Sequence, residues 1–357
     1  MQKFRELVSC GGFILGPEVE ALEDEIAHLC GAAFGIGVSS GTDALIVALM
    51  AAGVGPGDEV ICPAFTFFAT AGSVERLGAT PVFVDVLPDT FNIDPASLEA
   101  KITDRTAAVI PVHLFGQAAD MAAVMEIANR HHLTVIEDVA QAIGAKVGDQ
   151  GCGSIGDFGT FSFYPTKNLG GLGEGGLVTT SDPALAARLR AIRNHGMVER
   201  YRHDMMGGNF RLDAIQAGML RIKLEELENY ATARRANATR YAKQLAGISG
   251  LTLPHEEEGN FHTWNQYTLR VAGGRRDELR AALAAGGIGS EIYYPITLDQ
   301  QPCFKDLPEH ALKDIEVSHQ LAGECLSIPI YPEMPVAQQD AVIGALKGFF
   351  STDPLPL

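Results

Sequence analysis

The chain has 357 residues, of which 46% are hydrophobic and 20% are charged, a globular composition long enough for one large domain and a smaller one. Its net charge of −17, from 27 Lys and Arg against 44 Asp and Glu, argues against a nucleic-acid-binding protein. The six cysteines lack paired CxxC spacing, and no apolar run approaches the ~20 residues of a membrane span. We therefore expect a cytoplasmic protein with no structural zinc, no disulfide framework and no membrane segment.

Predicted strands and helices alternate through the first half of the chain. The first helix follows Gly16, has Pro17 at its first position and is closed by Gly31. Further helices are predicted over 44–52, 66–77, 95–102 and 121–131, and strands over 34–38, 59–62, 80–86, 106–114, 133–137 and 160–163. Because these strands are nearly continuous apolar runs, the pattern predicts an α/β protein whose mostly parallel sheet is covered on both faces.

The pattern changes near Arg211. A long, charged helical stretch is predicted over 212–245, with a break near Gly247. It is followed by a predicted strand over 267–271, a helix over 276–285, a strand over 290–293 and a terminal helix over 336–350. We therefore predict a large domain over residues 1–229 and a smaller α+β domain over residues 230–357.

Lys167 lies where a predicted strand stops and a glycine-rich loop begins. Pro165 allows neither a helix nor a continuing strand ladder, and glycines dominate residues 170–176. Lysine changes its pKa readily when it is desolvated, so Lys167 is a candidate for covalent chemistry on a carbonyl group. A lone lysine in a loop is more often simply solvated, and the case for chemistry depends on its neighbours.

Three other stretches carry features of a cofactor site. Residues 39–43 place small side chains and free amides at a helix N-terminus, which is either a phosphate site or a plain N-cap. Asp138 and Gln141 follow a strand end, where an acid is either a structural cap or the charge partner of a ligand. The aromatic residues within 65–68 are core residues or cover a flat ring. With Lys167, this set matches the needs of pyridoxal 5'-phosphate (PLP).

Six ordered motifs make the chain resemble the DegT/DnrJ/StrS sugar aminotransferases, which are fold-type I PLP enzymes acting on nucleotide-linked keto sugars. The resemblance extends over residues 13–296. The motifs are Ser40-Gly-Thr-Asp-Ala-Leu45, Gly55-Pro-Gly-Asp-Glu-Val60, Pro111-Val-His-Leu-Phe-Gly-Gln117, Glu137-Asp-Val-Ala-Gln141, Ser162-Phe-Tyr-Pro-Thr-Lys167 and Asn209-Phe-Arg-Leu-Asp213. The resemblance implies a large domain with a mostly parallel, seven-stranded sheet between helices and a smaller C-terminal α+β domain.

The resemblance also implies roles around the cofactor. Lys167 would be the Schiff-base lysine and proton shuttle, Asp138 would pair with the pyridine nitrogen, and Gln141 would contact the phenolic oxygen. Phe67 would stack on the ring. The residues expected to hold the phosphate are Gly41, Thr42 and Ser162.

On the substrate side, the resemblance implies a site shared between subunits. Asn209 would reach the phosphate of the neighbouring subunit's cofactor, which predicts a homodimer with shared active sites. Arg211, Tyr293 and Tyr294 would contact the sugar nucleotide. His113 is expected near the site, and a satisfied strand histidine is an equal alternative. Relatives that act on 3-keto uronic acids often have His-Tyr-Pro where this chain has Tyr-Tyr-Pro from Tyr293, which weakens a prediction that the substrate is a uronic acid.

Taken together, the sequence predicts a PLP-dependent aminotransferase that converts a nucleotide-linked keto sugar to an amino sugar. The 3-keto position is favoured over the 4-keto position, and L-glutamate is the expected amino donor. Two alternatives are a PLP-dependent sugar dehydratase and a non-catalytic regulatory protein with the same fold. Dehydratases of this type replace the lysine with histidine, so Lys167 argues against the first. The combination of Lys167 and Asp138 argues against the second.

Overall fold

The computed structural model describes residues 2–352. In that range the α-helices are α1 (Gln2–Cys10), α2 (Pro17–Cys30), α3 (Gly41–Ala52), α4 (Ala69–Arg76), α5 (Pro95–Ala100), α6 (Met121–His131), α7 (Pro183–Arg193), α8 (Ala214–Leu224), α9 (Leu227–Leu245), α10 (Arg276–Ala285), α11 (Glu316–Glu324) and α12 (Val336–Thr352). The strands are β1 (Phe34–Val38), β2 (Glu59–Pro63), β3 (Thr80–Val84), β4 (Thr106–Val109), β5 (Thr134–Asp138), β6 (Lys146–Val147), β7 (Gln150–Gly151), β8 (Phe158–Ser162), β9 (Gly176–Thr180), β10 (Met197–Glu199), β11 (Arg202–His203), β12 (Leu251–Thr252), β13 (Asn260–Phe261), β14 (Tyr267–Val271) and β15 (Cys325–Ile328).

A seven-stranded sheet organises the first part of the chain, with the order β1-β9-β8-β5-β4-β2-β3. The neighbouring pairs from β8 to β3 are parallel, while β9 is antiparallel to both β8 and β1. The predicted mostly parallel sheet is therefore confirmed. Six of its strands run in one direction, so their carboxyl ends meet at one edge, which is where ligands bind in open α/β sheets.

Helices cover both faces of this sheet. On one face, α3 buries Leu45 and Leu49 against residues of several strands, including Phe83 and Val178. On the other face, α2 and α8 pack in a second cluster and α6 contributes to a third. All five residues of β2 are buried, in keeping with the apolar run from Val60 to Cys62 that follows Glu59.

A smaller three-stranded antiparallel sheet, β12-β14-β15, lies in the second half of the chain. Its core brings together residues of α9, α10 and α12, among them Tyr241, Leu279 and Leu346. Between β14 and β15 the chain packs against the large sheet's core. Leu298 and Phe304 of this segment belong to the same hydrophobic cluster as the buried residues of α3. The division at residues 229 and 230 stays a prediction, and it falls within the first turn of α9.

Several predicted elements differ from the observed ones for local reasons. The predicted strand over 106–114 ends at Val109, because Pro111 has no N–H for a regular ladder. The predicted helix over 212–245 is two helices, α8 and α9, separated at residues 225–226. The predicted strand over 290–293 is a single bridge between Glu291 and Ser327. Elements α1, β9, α7, α11 and β15 were not predicted.

No helix within residues 2–352 combines the length and the apolarity that crossing a bilayer requires.

Candidate active site

The predicted phosphate-binding residues meet at the carboxyl edge of the large sheet. Ser162 ends β8, and Gly41 begins α3 directly after the turn that follows β1. The two residues are in contact, because a Cβ added to Gly41 would lie 2.6 Å from the Ser162 Cβ and 2.9 Å from its Oγ. Only glycine lets the first turn of α3 approach β8 this closely.

The N-terminus of α3 is capped by a side chain but keeps backbone amides without an intrahelical partner. Ser40 is the N-cap and its Oγ accepts a hydrogen bond from the Asp43 N–H at 3.1 Å, while the Ser39 hydroxyl donates to the Asp43 carboxylate at 2.6 Å. Ser40 therefore caps the helix, and the phosphate site stays a prediction. The cap leaves the amides of Gly41 and Thr42, which have no intrahelical partner by the geometry of a helix start. These amides and the helix dipole fit a phosphate group.

Asp138 ends β5 as a buried carboxylate, with 6% of its surface exposed. Thr70 Oγ1 donates to its Oδ2 at 2.9 Å, and the Ala140 N–H donates to its Oδ1 at 3.1 Å. Burial raises the pKa of Asp138, whereas these two hydrogen bonds and the charge of Lys167 act in the opposite direction. A buried carboxylate of this kind gains from a cationic partner, and a protonated ring nitrogen is such a partner.

Lys167 lies in the turn after β8, where its N–H donates to the Tyr164 carbonyl oxygen at 2.9 Å. Burial lowers the pKa of its amine, and the nearby Asp138 carboxylate partly offsets that shift. A lowered pKa increases the fraction of neutral amine at a given pH, and the neutral amine is the form that attacks a carbonyl carbon. The structure therefore brings the predicted lysine and aspartate into one desolvated site.

The residue after the lysine is fixed to the second half of the chain. Asn168 is buried, its Nδ2 donates to the Thr263 carbonyl oxygen at 3.1 Å, and its Oδ1 accepts from Asn265 Nδ2 at 2.8 Å. Since Asn168 adjoins Lys167, this pair of hydrogen bonds restricts where the lysine backbone can lie.

Gln141, Tyr294 and Phe67 form one wall of the site. Gln141 Oε1 accepts from the Phe115 N–H at 2.8 Å, and its Nε2 donates to the Tyr294 hydroxyl oxygen at 3.1 Å. The Phe67 ring lies 6.3 Å from the Tyr294 ring, with 57% of the Phe67 side chain exposed. Phe65 is fully buried instead, so of these two aromatic residues Phe67 is the one free to cover a flat ring.

Arg211 and Asn209 lie beside the open end of β1. Arg211 bridges to Val38, and its Nη1 donates to Asn194 Oδ1 at 2.8 Å. Its buried Nε has no hydrogen-bond partner, and no carboxylate in the described residues forms an ion pair with it. Asn209 is exposed and bridges to Asn194. Arg211 is thus a cation available to an anionic ligand.

Tyr293 is half-buried beside Tyr294, with their ring centroids 5.8 Å apart. Burial raises the pKa of both hydroxyl groups. Both tyrosines therefore stay neutral near pH 7 and can donate or accept hydrogen bonds.

His113 is fully buried, and the protein occupies both of its ring nitrogens. Nδ1 accepts from the Ala119 N–H at 3.0 Å, so the ring proton is on Nε2, which donates to Glu137 Oε2 at 2.9 Å. No nitrogen is left for a substrate, and this geometry favours the alternative of a satisfied strand histidine. His113, Glu137 and Cys152 are residues of types that bind metals, and their potential ligand atoms lie within 4.8 Å of one another. However, Glu137 already accepts four hydrogen bonds, from His113 and from the amides of Gly153, Ile155 and Gly156.

Three residues that contact this site were not predicted. They are Thr70, Asn168 and Gln216, whose Oε1 accepts from the Leu172 N–H at 2.9 Å in the glycine-rich loop. Thr70 contacts Asp138, which is 68 residues away, and no signal in the sequence around Thr70 marked that contact. Asn168 and Gln216 find their partners only in the folded chain.

The residues present fit PLP. The buried carboxylate of Asp138 suits a protonated ring nitrogen. The amides at the start of α3, beside Ser162, suit a phosphate group. The exposed ring of Phe67 can stack on a flat cofactor ring. Lys167 supplies an amine with a lowered pKa for the aldehyde carbon.

Comparison with known proteins agrees with this fit. The model of the DegT/DnrJ/EryC1/StrS aminotransferase family matches residues 1–347. A pleiotropic regulatory protein of Geobacillus stearothermophilus is 48% identical over 98% of this chain and 94% of its own length. A UDP-N-acetyl-3-dehydro-alpha-D-glucosamine 3-aminotransferase of Acidithiobacillus ferrooxidans is 48% identical over 92% of this chain and 88% of its own length.

A solved structure shows the same fold with a cofactor. NtdA from Bacillus subtilis, crystallised with bound pyridoxamine phosphate, has a TM-score of 0.91 and 32% identity, covering 98% of this chain and 81% of its own. The predicted fold class is therefore confirmed, as are the predicted cofactor and the choice of enzyme over regulator. The chain belongs to the DegT/DnrJ/EryC1/StrS aminotransferase family and is a PLP-dependent aminotransferase.

Proposed function

We propose that this aminotransferase passes an amino group from L-glutamate to the 3-keto carbon of a nucleotide-linked sugar. The observation that carries the proposal is the pairing of Lys167 and Asp138, an amine and a carboxylate desolvated in one site with pKa values shifted toward neutrality. The 3-keto position is supported by the name of the Acidithiobacillus relative, a 3-aminotransferase that acts on a 3-dehydro sugar. Tyr293, in place of the histidine expected for uronic acids, favours a sugar without a carboxylate.

Each residue of the site has a part that follows from its chemistry. PLP, when bound, supplies an electron sink that allows an amino group to be stored and passed on. Asp138 offers its carboxylate to the positive charge on the ring nitrogen. Lys167 Nζ, whose pKa is lowered by burial, would move a proton between the cofactor carbon and the sugar carbon. Gln141 and Tyr294 are joined by a hydrogen bond, which holds their two side chains in place in the site.

The substrate side needs a cation. A nucleotide sugar carries a diphosphate, and L-glutamate carries two carboxylates, in a chain whose net charge is −17. Arg211, which has no carboxylate partner in the described part of the chain, can serve either anion in turn. Tyr293 and Tyr294 add neutral hydroxyl groups suited to sugar oxygens.

A homodimer with shared active sites is part of the proposal. It is supported by exposed apolar side chains on α1 and α8, where Phe4, Val8 and Ile222 are 42%, 49% and 43% exposed although the two helices pack together. It is also supported by the exposed position of Asn209. In an isologous dimer both copies of this residue lie symmetrically, so each can reach the other's site.

The experiment is a screen of acceptors. Purified enzyme is incubated with L-glutamate and with UDP- or dTDP-linked 3-keto or 4-keto sugars, and the product mass is measured. We expect amination of a 3-keto sugar, and neither L-aspartate nor L-glutamine should replace L-glutamate. Amination of 4-keto sugars alone would refute the position, and a strict preference for another donor would refute the glutamate assignment.

Two variants test the residues. Lys167→Ala should lose the visible absorbance band of the bound cofactor together with nearly all turnover. Asp138→Asn should fold normally but lose turnover by orders of magnitude, because an amide carries no charge for the ring nitrogen. Turnover near the wild-type rate in either variant would remove that residue from the proposed site.

A further inference from the structure

We propose that Thr70 is a positioning residue for Asp138, holding the carboxylate in its ionised form and in its orientation toward the ring nitrogen. The proposal rests on the function assigned above to Asp138 and adds a residue to which the sequence motifs give no role. It is carried by one contact, the 2.9 Å hydrogen bond from Thr70 Oγ1 to Asp138 Oδ2.

This hydrogen bond joins the start of a helix to the end of a distant strand. Thr70 is the second residue of α4, and its hydroxyl reaches a side chain 68 residues along the sequence. Thr70 is fully buried, so this hydroxyl has no water to bond with in place of the carboxylate.

The direction of the hydrogen bonds can be worked out. Thr70 Oγ1 also lies 3.2 Å from Thr66 Oγ1, and either atom could donate in that pair. An ionised carboxylate only accepts, so the Thr70 proton points to Asp138 and the Thr66 hydroxyl must donate to Thr70. The result is a short chain in which Thr66 polarises Thr70 and Thr70 donates to Asp138.

These hydrogen-bond donors matter because two requirements on the Asp138 carboxylate oppose each other. Burial favours its protonated form, whereas a charge partner for the ring nitrogen must be ionised. The Ala140 N–H and Thr70 are its two hydrogen-bond donors in the described residues. The titratable groups that act on it are Lys167, His113 and Tyr294. Of all these, Thr70 is the donor that a side-chain substitution removes without changing any charge.

The test compares three variants as holoenzymes. Thr70→Val keeps the shape and removes the donor, and Thr70→Ser keeps the donor. Thr160→Val is the matched control, because Thr160 is equally buried in the neighbouring strand but donates to the Glu137 carbonyl oxygen at 3.0 Å. The measurements are the dissociation constant for PLP, the pH dependence of kcat and the melting temperature.

We expect Thr70→Val to weaken PLP binding about tenfold, since a hydrogen bond to a charged group contributes on that scale. The acidic limb of the kcat profile should move up by about one pH unit, because Asp138 then protonates more easily. Thr70→Ser should restore both values. Thr160→Val should lower the melting temperature without moving the acidic limb.

Two results would overturn the proposal. One is a Thr70→Val enzyme whose acidic limb and PLP affinity match those of the wild type. The other is a Thr70→Ser enzyme as impaired as Thr70→Val, which would show that the methyl group and not the donor matters. The activity of Asp138→Asn distinguishes an error about Thr70 from an error in the proposed function. If Asp138→Asn is inactive while Thr70→Val is normal, only the role of Thr70 is wrong.

Discussion

Replacing Gly41 with alanine tests whether the start of α3 is a phosphate site or only a capped helix end. The added Cβ would lie 2.6 Å from the Ser162 Cβ, whereas ordinary contacts begin at 3.4 Å. Ser162 Cβ is attached directly to the backbone of β8, so a side-chain rotation cannot relieve the contact. Either the first turn of α3 or the end of β8 must shift, and both carry proposed phosphate ligands.

The size of the effect follows from packing energetics. Forcing an extra carbon into a packed contact costs about 1–3 kcal/mol. If that cost falls on the geometry of the phosphate site, the dissociation constant for PLP rises about 5- to 150-fold. Alanine also favours a helix over glycine by up to ~1 kcal/mol, which offsets part of the loss in folding stability. Gly41→Ala should therefore lose much more PLP affinity than thermal stability.

The assay is a PLP titration of the apoenzyme, followed by absorbance, beside a melting curve. Gly344→Ala is the control, because this exposed helical glycine has no atom within 4 Å of an added Cβ. That variant should gain stability and keep its affinity. Adding Ser162→Gly to Gly41→Ala removes the two shortest contacts, those with the Ser162 Cβ and Oγ, and leaves only the Ser162 Cα at 3.2 Å. The double variant should therefore bind PLP better than the sum of the two single losses predicts. Affinity within twofold of wild type in Gly41→Ala would refute the reasoning.

Three further predictions address charge, pH and assembly. Glu137→Gln should cost about 1.5–3 kcal/mol in the free energy of unfolding by urea, because a charged acceptor of backbone amides is lost, while PLP affinity stays unchanged. Burial lowers the pKa of His262 to about 3, so its contribution to stability is complete above pH 6.5 and declines as the pH falls from 6.5 toward 3. The pH dependence of unfolding should be flatter in that range for His262→Phe, and an unchanged slope would contradict this. Co-expression of inactive Lys167→Ala and Asn209→Trp chains should restore part of the activity in mixed dimers, and inactive mixed dimers would place Asn209 within its own subunit's site.

The sequence predicted elements well where local chemistry marks their ends. Helix α2 begins at Pro17 and ends at Cys30, and it is capped by Gly31, whose φ of 86° is the left-handed geometry that glycine favours. Strand β14 and helices α6 and α10 match their predicted bounds, since glycines follow soon after β14 and directly after α10, and Asp120 caps the start of α6. Strand β9 was missed because its apolar run follows directly on the glycine-rich loop, with no boundary residue between them.

The site shows the same division between local and long-range information. Lys167, with Pro165 before it and glycines after it, is visible from its neighbours in sequence. Thr70 and Asn168 could not be predicted, because their partners are Asp138 and the 263–265 segment, 68 and more than 90 residues away. A hydroxyl or an amide side chain acquires such a role only when the sheet brings distant strand ends together.

The adjacent acids Glu137 and Asp138 show why the type of residue alone does not assign a role. Successive residues of a strand point to opposite faces, so the two carboxylates at the end of β5 enter different surroundings. The Glu137 carboxylate accepts four hydrogen bonds, which leaves no capacity for a ligand and makes it a structural centre for the 153–156 loop and His113. Asp138 accepts only two, from Thr70 and from the Ala140 amide, and it faces Lys167. A carboxylate with unused acceptor capacity, low solvent exposure and an amine nearby is the one suited to a cationic ring, and that distinction follows from counting its hydrogen bonds.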